Sequence, residues 1–267
     1  MQSPDDPSAR GPLLDAPRSY SPSSSAQAQA DGRPTSPAVS ATVTAVRQAS
    51  PSVRILDLKV TDPRFAFAPG QWVDFFITGV DAVGGFSICS SPRLMVQSGA
   101  IQLAIKNSGE PPAAWVHSGE CVPGAVVSVK VGGSFRYDNP EFLPVLLVAG
   151  GIGISPLMSM VRHILGAPDP VPCTLLYCAS SEAELVFRDE LEKIASGADG
   201  VFRFVPMVTR GAGGGGRVSR AVLARHLPSP SGTRCFLCGP PGMSDGVMGW
   251  LRELGVPGNR IRYEKWW

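Results

Sequence analysis

Residues 145–158 read VLLVAGGIGISPLM, and the fold turns on how that stretch divides. VLLVA is a dense apolar run of strand length. Gly150, Gly151 and Gly153 then allow a tight turn and a close approach of backbone to a neighbour. Ser155-Pro156 carries the signature of a helix start, with Ser155 as N-cap and Pro156 at the first helical position. The stretch lies inside a segment, between Glu141 and Arg162, that has no charged residue and is long enough to cross a bilayer. Pro144, the glycines and Pro156 interrupt that segment, so the reading is buried strand, glycine turn and helix, with no membrane span.

Downstream the same rhythm repeats. CTLLYCA, VFRFVPMV and RCFLC are further buried-strand runs, and helical patterns occupy 156–165, 183–196, 218–226 and 241–254. Strands alternating with helices predict a parallel sheet with flanking helices, a Rossmann-like domain over 141–267. In such a sheet ligands bind beyond the carboxyl ends of the strands, near the switch in strand order. Upstream, over 38–140, the period changes. VSATVTAV, SVRILDLKV, QWVDFFITG, GFSICSS, IQLAIKN and AVVSVKV are short strands between breakers, which predicts a small antiparallel β-barrel. A short helix is expected at PPAAWVHSG. Residues 1–37 are rich in Ser, Pro, Ala and Gln and cannot bury enough apolar area to fold alone, so a disordered tail is expected there. The fold class is therefore β plus α/β.

Lys and Arg number 24 against 22 Asp and Glu, a net charge of +2, which leaves no basic footprint for a nucleic acid. The 6 cysteines are too few and scattered for a disulfide scaffold, pointing to a reducing compartment. Cys235-x-x-Cys238 has zinc spacing but lacks a second pair or a nearby histidine. Cys173 and Cys178 begin an iron–sulfur spacing whose third position, 181, is serine. No metal site is expected.

Two turns carry the chemistry. In AGGIGISP, 149–156, glycines precede a helix N-terminus, where free amides and the helix dipole favour a pyrophosphate. The candidate contacts are Gly150, Gly151, Ile152, Gly153, Ile154, Ser155 and Pro156. In CGPPGM, 238–243, Pro240 and Pro241 fix the backbone after Gly239 and present Cys238 at a strand end, with Met243 following. Neither turn is a G-x-G-x-x-G or a GK[ST] loop, and no G-x-S-x-G elbow supports a hydrolase.

In this order and spacing the two turns resemble the ferredoxin–NADP+ reductase superfamily, over about 38–267. ELVFRDEL, 184–191, is similar to the superfamily's helix after the second parallel strand. The stretches GGFSICSSP and PPAAWVH and the final EKWW are similar to one branch of it associated with mitochondria; a cytosolic home is the alternative. The resemblance implies a flavin-binding barrel followed by a nicotinamide-nucleotide domain. It makes 150–156 the pyrophosphate cradle and sets Cys238 beside the nicotinamide as the catalytic candidate. It also makes Phe86, Ser87 and Ile88 the counterpart of an Arg-x-Tyr-Ser flavin motif. Here that motif reads Gly84-Gly85-Phe86-Ser87, without the arginine. The serine or threonine that anchors the flavin phosphate falls near Ala113-Ala114 and is also absent. Losing a bidentate cation to a phosphate costs on the order of 2–3 kcal/mol, although Lys106 or Arg93 could compensate.

The nucleotide is read as NAD, with NADP open. Ser180 suits a hydroxyl or a phosphate, Glu182 could bond a ribose hydroxyl, and Thr209-Arg210 could grip a 2′-phosphate. Trp266, on the strand expected at the C-terminus, is the candidate ring to stack on an isoalloxazine. The function that follows is an oxidoreductase passing hydride from NAD(P)H to FAD, then electrons to an acceptor protein. The alternative is a nucleotide-binding sensor or adaptor that has lost the flavin.

Overall fold

The computed structural model describes residues 37–265 except 199 and 211–215. The segment expected to be disordered lies outside this range up to residue 36, as does Trp266.

Six strands form the first sheet: β1 (Val39–Ser50), β2 (Val53–Val60), β3 (Trp72–Ile77), β4 (Val80–Ser87), β5 (Ala100–Lys106) and β6 (Val126–Gly132). They pair antiparallel in the order β4-β3-β6-β1-β2-β5. The outer strands approach at a bridge between Ile88 and Leu103, so the sheet curls into an incompletely closed barrel. Alternation builds its interior. In β3, Val73, Phe75 and Ile77 are buried while Trp72, Asp74 and Phe76 lie on the outer side. Strand β4 differs from the expected GFSICSS: it starts at Val80, in a hairpin with β3, and ends at Ser87. A helix that the pattern gave no sign of, α1 (Pro92–Ser98), follows it. None of its residues is buried, so it has no apolar stripe. Its local signals are Pro92 in the first turn and Gly99 at φ 62 as C-cap. The helix α2 (Pro111–Val116) lies where one was expected.

Five strands form the second sheet: β7 (Val145–Gly150), β8 (Cys173–Ala179), β9 (Phe202–Val208), β10 (Arg234–Gly239) and β11 (Ile261–Lys265). All pair parallel, in the order β11-β10-β7-β8-β9. Between them run α3 (Ile154–Leu165), α4 (Arg188–Gly197), α5 (Arg220–His226) and α6 (Pro241–Glu253). The central β7 is buried along its whole length. Val145, Leu147 and Ala149 enter one apolar cluster, Leu146 and Val148 another on the opposite face. Each fully buried leucine is worth roughly 1.5–3 kcal/mol, which pins this strand at the sheet centre. The uncharged 142–161 segment is thus strand, turn and helix, and among the described residues no helix is long and apolar enough to cross a membrane.

Barrel and parallel sheet share a core, since Val53, Ile55, Cys89 and Ala104 of the barrel pack with α3. Polar ties reinforce it. Ser159 donates to the Ser90 carbonyl at 2.6 Å. Arg162 donates to the Cys89 carbonyl and the Gln102 side chain, both at 2.9 Å, and pairs in a fork with Glu190 at 2.8 and 2.7 Å. Ser50 and Ser52 both donate to Glu184, at 2.9 and 2.7 Å.

Candidate functional site

The first parallel strand, β7, has β8 on one side and β10 on the other, so the chain leaves it in both directions. That switch point lies between β7 and β10, and it aligns Ala149 with Cys238 across the ladder. The two sequence-predicted turns, some ninety residues apart in the chain, therefore meet.

Their glycines are required by that meeting. A Cβ on Gly239 would lie 2.6 Å from the Met243 methyl and 3.1 Å from the Gly150 Cα. One on Gly150 would lie 2.6 Å from the Met243 sulfur and 3.0 Å from Pro240 Cδ. A Cβ on Gly153 would overlap the Cys238 carbonyl. Gly151 is different. It has φ +55, and a Cβ there would meet nothing within 4 Å. The backbone is left-handed and faces open space, the combination a cradle for a ligand needs.

The helix start differs from the expectation that Ser155 caps it. Gly151–Gly153 form a 3-10 turn that runs directly into α3 at Ile154, with Gly153 at the N-cap. Ser155 is thereby inside the first turn. It is 1% exposed and its hydroxyl donates to the Ala104 carbonyl of the barrel at 3.4 Å. Neither the turn nor the helix has a side-chain cap. The Ile154 amide is given to the carbonyls of Gly151 and Ile152, so any amide open to an anion belongs to the turn before it. Ile152 is partly buried, and Ile154 and Pro156 are buried in the shared core.

Cys238 is 0% exposed and belongs to the apolar cluster that joins α3 to the sheet. Its side chain packs in that cluster near the carboxyl end of β10. Cys235, three residues earlier, belongs to the cluster on the other face of the sheet. An odd offset along a strand sends the two thiols to opposite sides, which removes the zinc spacing as a site. Cys173 and Cys178 divide between the same two clusters. Pro240 and Pro241 open α6, and Ser244 donates to the Gly239 carbonyl at 3.3 Å.

The third group of candidates also converges. Thr209 and Arg210 continue past β9 and donate from their amides to the carbonyls of Ala179 and Ser180, at 2.9 and 3.1 Å. Ser180 and Arg210 are exposed there. Glu182 is paired with Arg188. The helix expected over 183–196 is shorter: a 3-10 turn at Glu182–Glu184 precedes α4, with Phe187 at φ 65 between them. Burial of Leu185 and Val186, whose amide donates to the fully buried Tyr177 hydroxyl at 3.2 Å, accounts for the break.

On the barrel, Phe86 is partly buried and packs against the core. It pairs across the ladder with Val73, and Gly84 pairs with Phe75, which puts both on the barrel-core face. The Phe86 ring meets that of Phe75 edge-on at 5.4 Å. Ser87 and Ile88 are buried, at 6% and 0%. Arg93, one of two cations that could replace the absent arginine, donates to the Gly166 carbonyl at the end of α3; Lys106 is exposed at the end of β5.

These features can be set beside known proteins. The oxidoreductase NAD-binding domain model matches residues 147–248, from β7 through both turns. A zebrafish (Danio rerio) protein, oxidoreductase NAD-binding domain-containing protein 1, is 41% identical over 249 residues, spanning 85% of this chain and 92% of its own. The chain belongs to that family. Its human member is 38% identical, covering 82% of this chain and 76% of its own. Among solved structures, the Amycolatopsis cytochrome P450 reductase superposes with a TM-score of 0.75 at 24% identity, over 86% of this chain and 69% of that one. The cytochrome b5 reductase domain of Ulva prolifera nitrate reductase gives 0.72 at 21%, over 85% and 97%. The family thus has the ferredoxin reductase-like architecture, and an NAD-binding oxidoreductase domain is its defining part.

What the sequence pattern did not reveal is the polar joint around Arg162. A lone arginine on a helix reads as a solvated face, and nothing local announces that it is mostly buried against another sheet.

Proposed function

We propose that this chain binds NAD(P)H across the carboxyl ends of β7, β8 and β10 and offers it for hydride transfer in the crevice between the parallel sheet and the barrel. The supporting observation is the convergence of Gly150, Gly151 and Gly239 at the switch point, with left-handed Gly151 facing open space beside uncapped amides. The pyrophosphate is held by the backbone of 150–154. The adenosine end reaches Ser180, Thr209 and Arg210, with NADP accommodated by Arg210 because Glu182 is engaged by Arg188. Nicotinamide, once bound, supplies a hydride from its ring. The residues of this chain bind, orient and exclude water around it. Pro240 and Pro241 set the turn beside which the ring lies, with Cys238 as its floor. The acceptor is a separate molecule or electron-acceptor protein.

Gly151→Val tests this. It should weaken NADH binding by at least about tenfold, or 1.4 kcal/mol, with the melting temperature nearly kept, as read by calorimetry. Unchanged affinity would remove the cradle. The sensor reading differs in turnover alone: bound NADH would persist unoxidised with every acceptor tried.

A further inference from the structure

The barrel departs from the superfamily pattern at two places, Gly84 and the start of α2, and the structure brings these two together. A Cβ added to Gly84 would lie 2.7 Å from the Phe86 ring and 2.9 Å from the Cβ of Pro112. The space that a longer side chain at position 84 would need is filled by the chain's own phenyl ring and proline. Pro112 and Ala113 are buried beside it. The first turn of α2 has lost two of its donors, because Pro111 and Pro112 have no amide hydrogen. The Ala114 amide is already given to the Glu110 carbonyl at 2.8 Å. Glu110 itself stands at the N-cap, exposed and without a cap hydrogen bond, and brings negative charge to the one place where an anion would be received. The changes agree with one another. The cation is gone, its room is occupied, two amides are removed and a carboxylate is added.

We infer that Phe86 and Pro112 have closed the flavin-phosphate slot, so that this chain keeps a dinucleotide site but holds no FAD, and its barrel serves as a fixed wall of the NAD(P)H crevice. The residues present do not fit the pyrophosphate of FAD. Repelled by Glu110 and offered no fork of donors, it would lose both the charge-assisted bonds and the space they require. The polar joint at Arg162 suits such a wall, since it ties the barrel to α3 and α4 through Cys89, Gln102 and Glu190. Any hydride acceptor then enters and leaves the crevice.

The inference rests on the NAD(P)H reading only for what the wall encloses, and the test separates the two. The full chain is incubated with FAD, passed through gel filtration and scanned for flavin absorbance, while FAD and NADH are titrated separately by calorimetry. The expected result is a colourless protein that binds NADH and binds FAD at least about a hundredfold more weakly. Near-stoichiometric FAD after gel filtration, or an FAD affinity equal to that for NADH, would overturn the inference. Failure to bind NADH would instead sink the nucleotide proposal, and the FAD result would still be readable. Phe86→Ala gives a second measurement. If the ring is barrel packing, its loss lowers the melting temperature by several degrees, on the order of 5 °C. An unchanged melting temperature would overturn the plug.

Discussion

Gly151, in the turn after β7, and Gly84, within β4, both lack a side chain at a close approach, and they do opposite things. At Gly151 the missing side chain leaves a space with no heavy atom within 4 Å of a would-be Cβ; at Gly84 the same absence lets Phe86 and Pro112 move in. The difference lies in the neighbours. Gly151 is followed by a 3-10 turn and α3, whose side chains are drawn down into the shared core and away from the turn. Gly84 sits on a strand whose core-facing partner two residues on is a large ring with buried rings around it. A glycine creates a ligand site only where nothing else in the chain can use the room.

Substitutions at the glycines break or sharpen that contrast. The largest effect is expected at Gly153, where a Cβ would overlap the Cys238 carbonyl, a backbone atom that cannot step aside. Gly153→Val should cost about 3 kcal/mol or more, read as loss of the cooperative urea transition. Gly84→Arg comes next, at about 2 kcal/mol, because the ring and proline must be displaced. If this variant melts like the parent, the slot is open and the two glycines are alike. Arg162→Met should cost a comparable amount, about 2 kcal/mol, since it leaves Glu190 and the Cys89 carbonyl without their donor. Its NADH affinity should change less than its stability. Gly151→Val should be mildest for the fold, roughly 1 kcal/mol for the left-handed backbone, and severest for binding.

The smallest effect concerns the thiols. All six cysteines are buried. Burial pushes Cys89, just past the slot, and Cys235, near the start of β10, both up to about 12. Thiolate is therefore scarce at pH 8, and a thiol reagent should label the native chain slowly and the urea-unfolded chain at once. Rapid labelling of Cys89 in the native state would mean that the slot region opens readily.

Much of the fold was legible in the residues. VLLVA followed by glycines and Ser-Pro marks strand, turn and helix, and the alternation of QWVDFFITG marks a half-buried strand, because periodicities of 3.6 and 2 are local properties of the chain. The glycine turn and the Gly-Pro-Pro turn were legible for the same reason: glycine and proline act on their own backbone. Helix α1 was not, since none of its seven residues is fully buried and its proline and C-capping glycine also suit a plain turn. The first turn of α3 was misplaced by a residue or two because Ser-Pro fits either the cap or the first turn, and the preceding glycines continued the spiral.

The sequence by itself determined the order of the elements, the parallel sheet, the glycine turn after β7 and the glycine where the resembled superfamily motif has arginine. Tertiary structure alone decided which way Phe86 faces. That depends on the pairing of Phe86 with Val73, and slipping the register by one residue would send the ring to the other side of the barrel wall. It likewise decided that Cys238 is buried, that Arg162 is a joint, and that Gly84 has no room beside it. Each of these depends on atoms tens of residues away in the chain, and burial is a property of the packed neighbours, which no local pattern of residues contains.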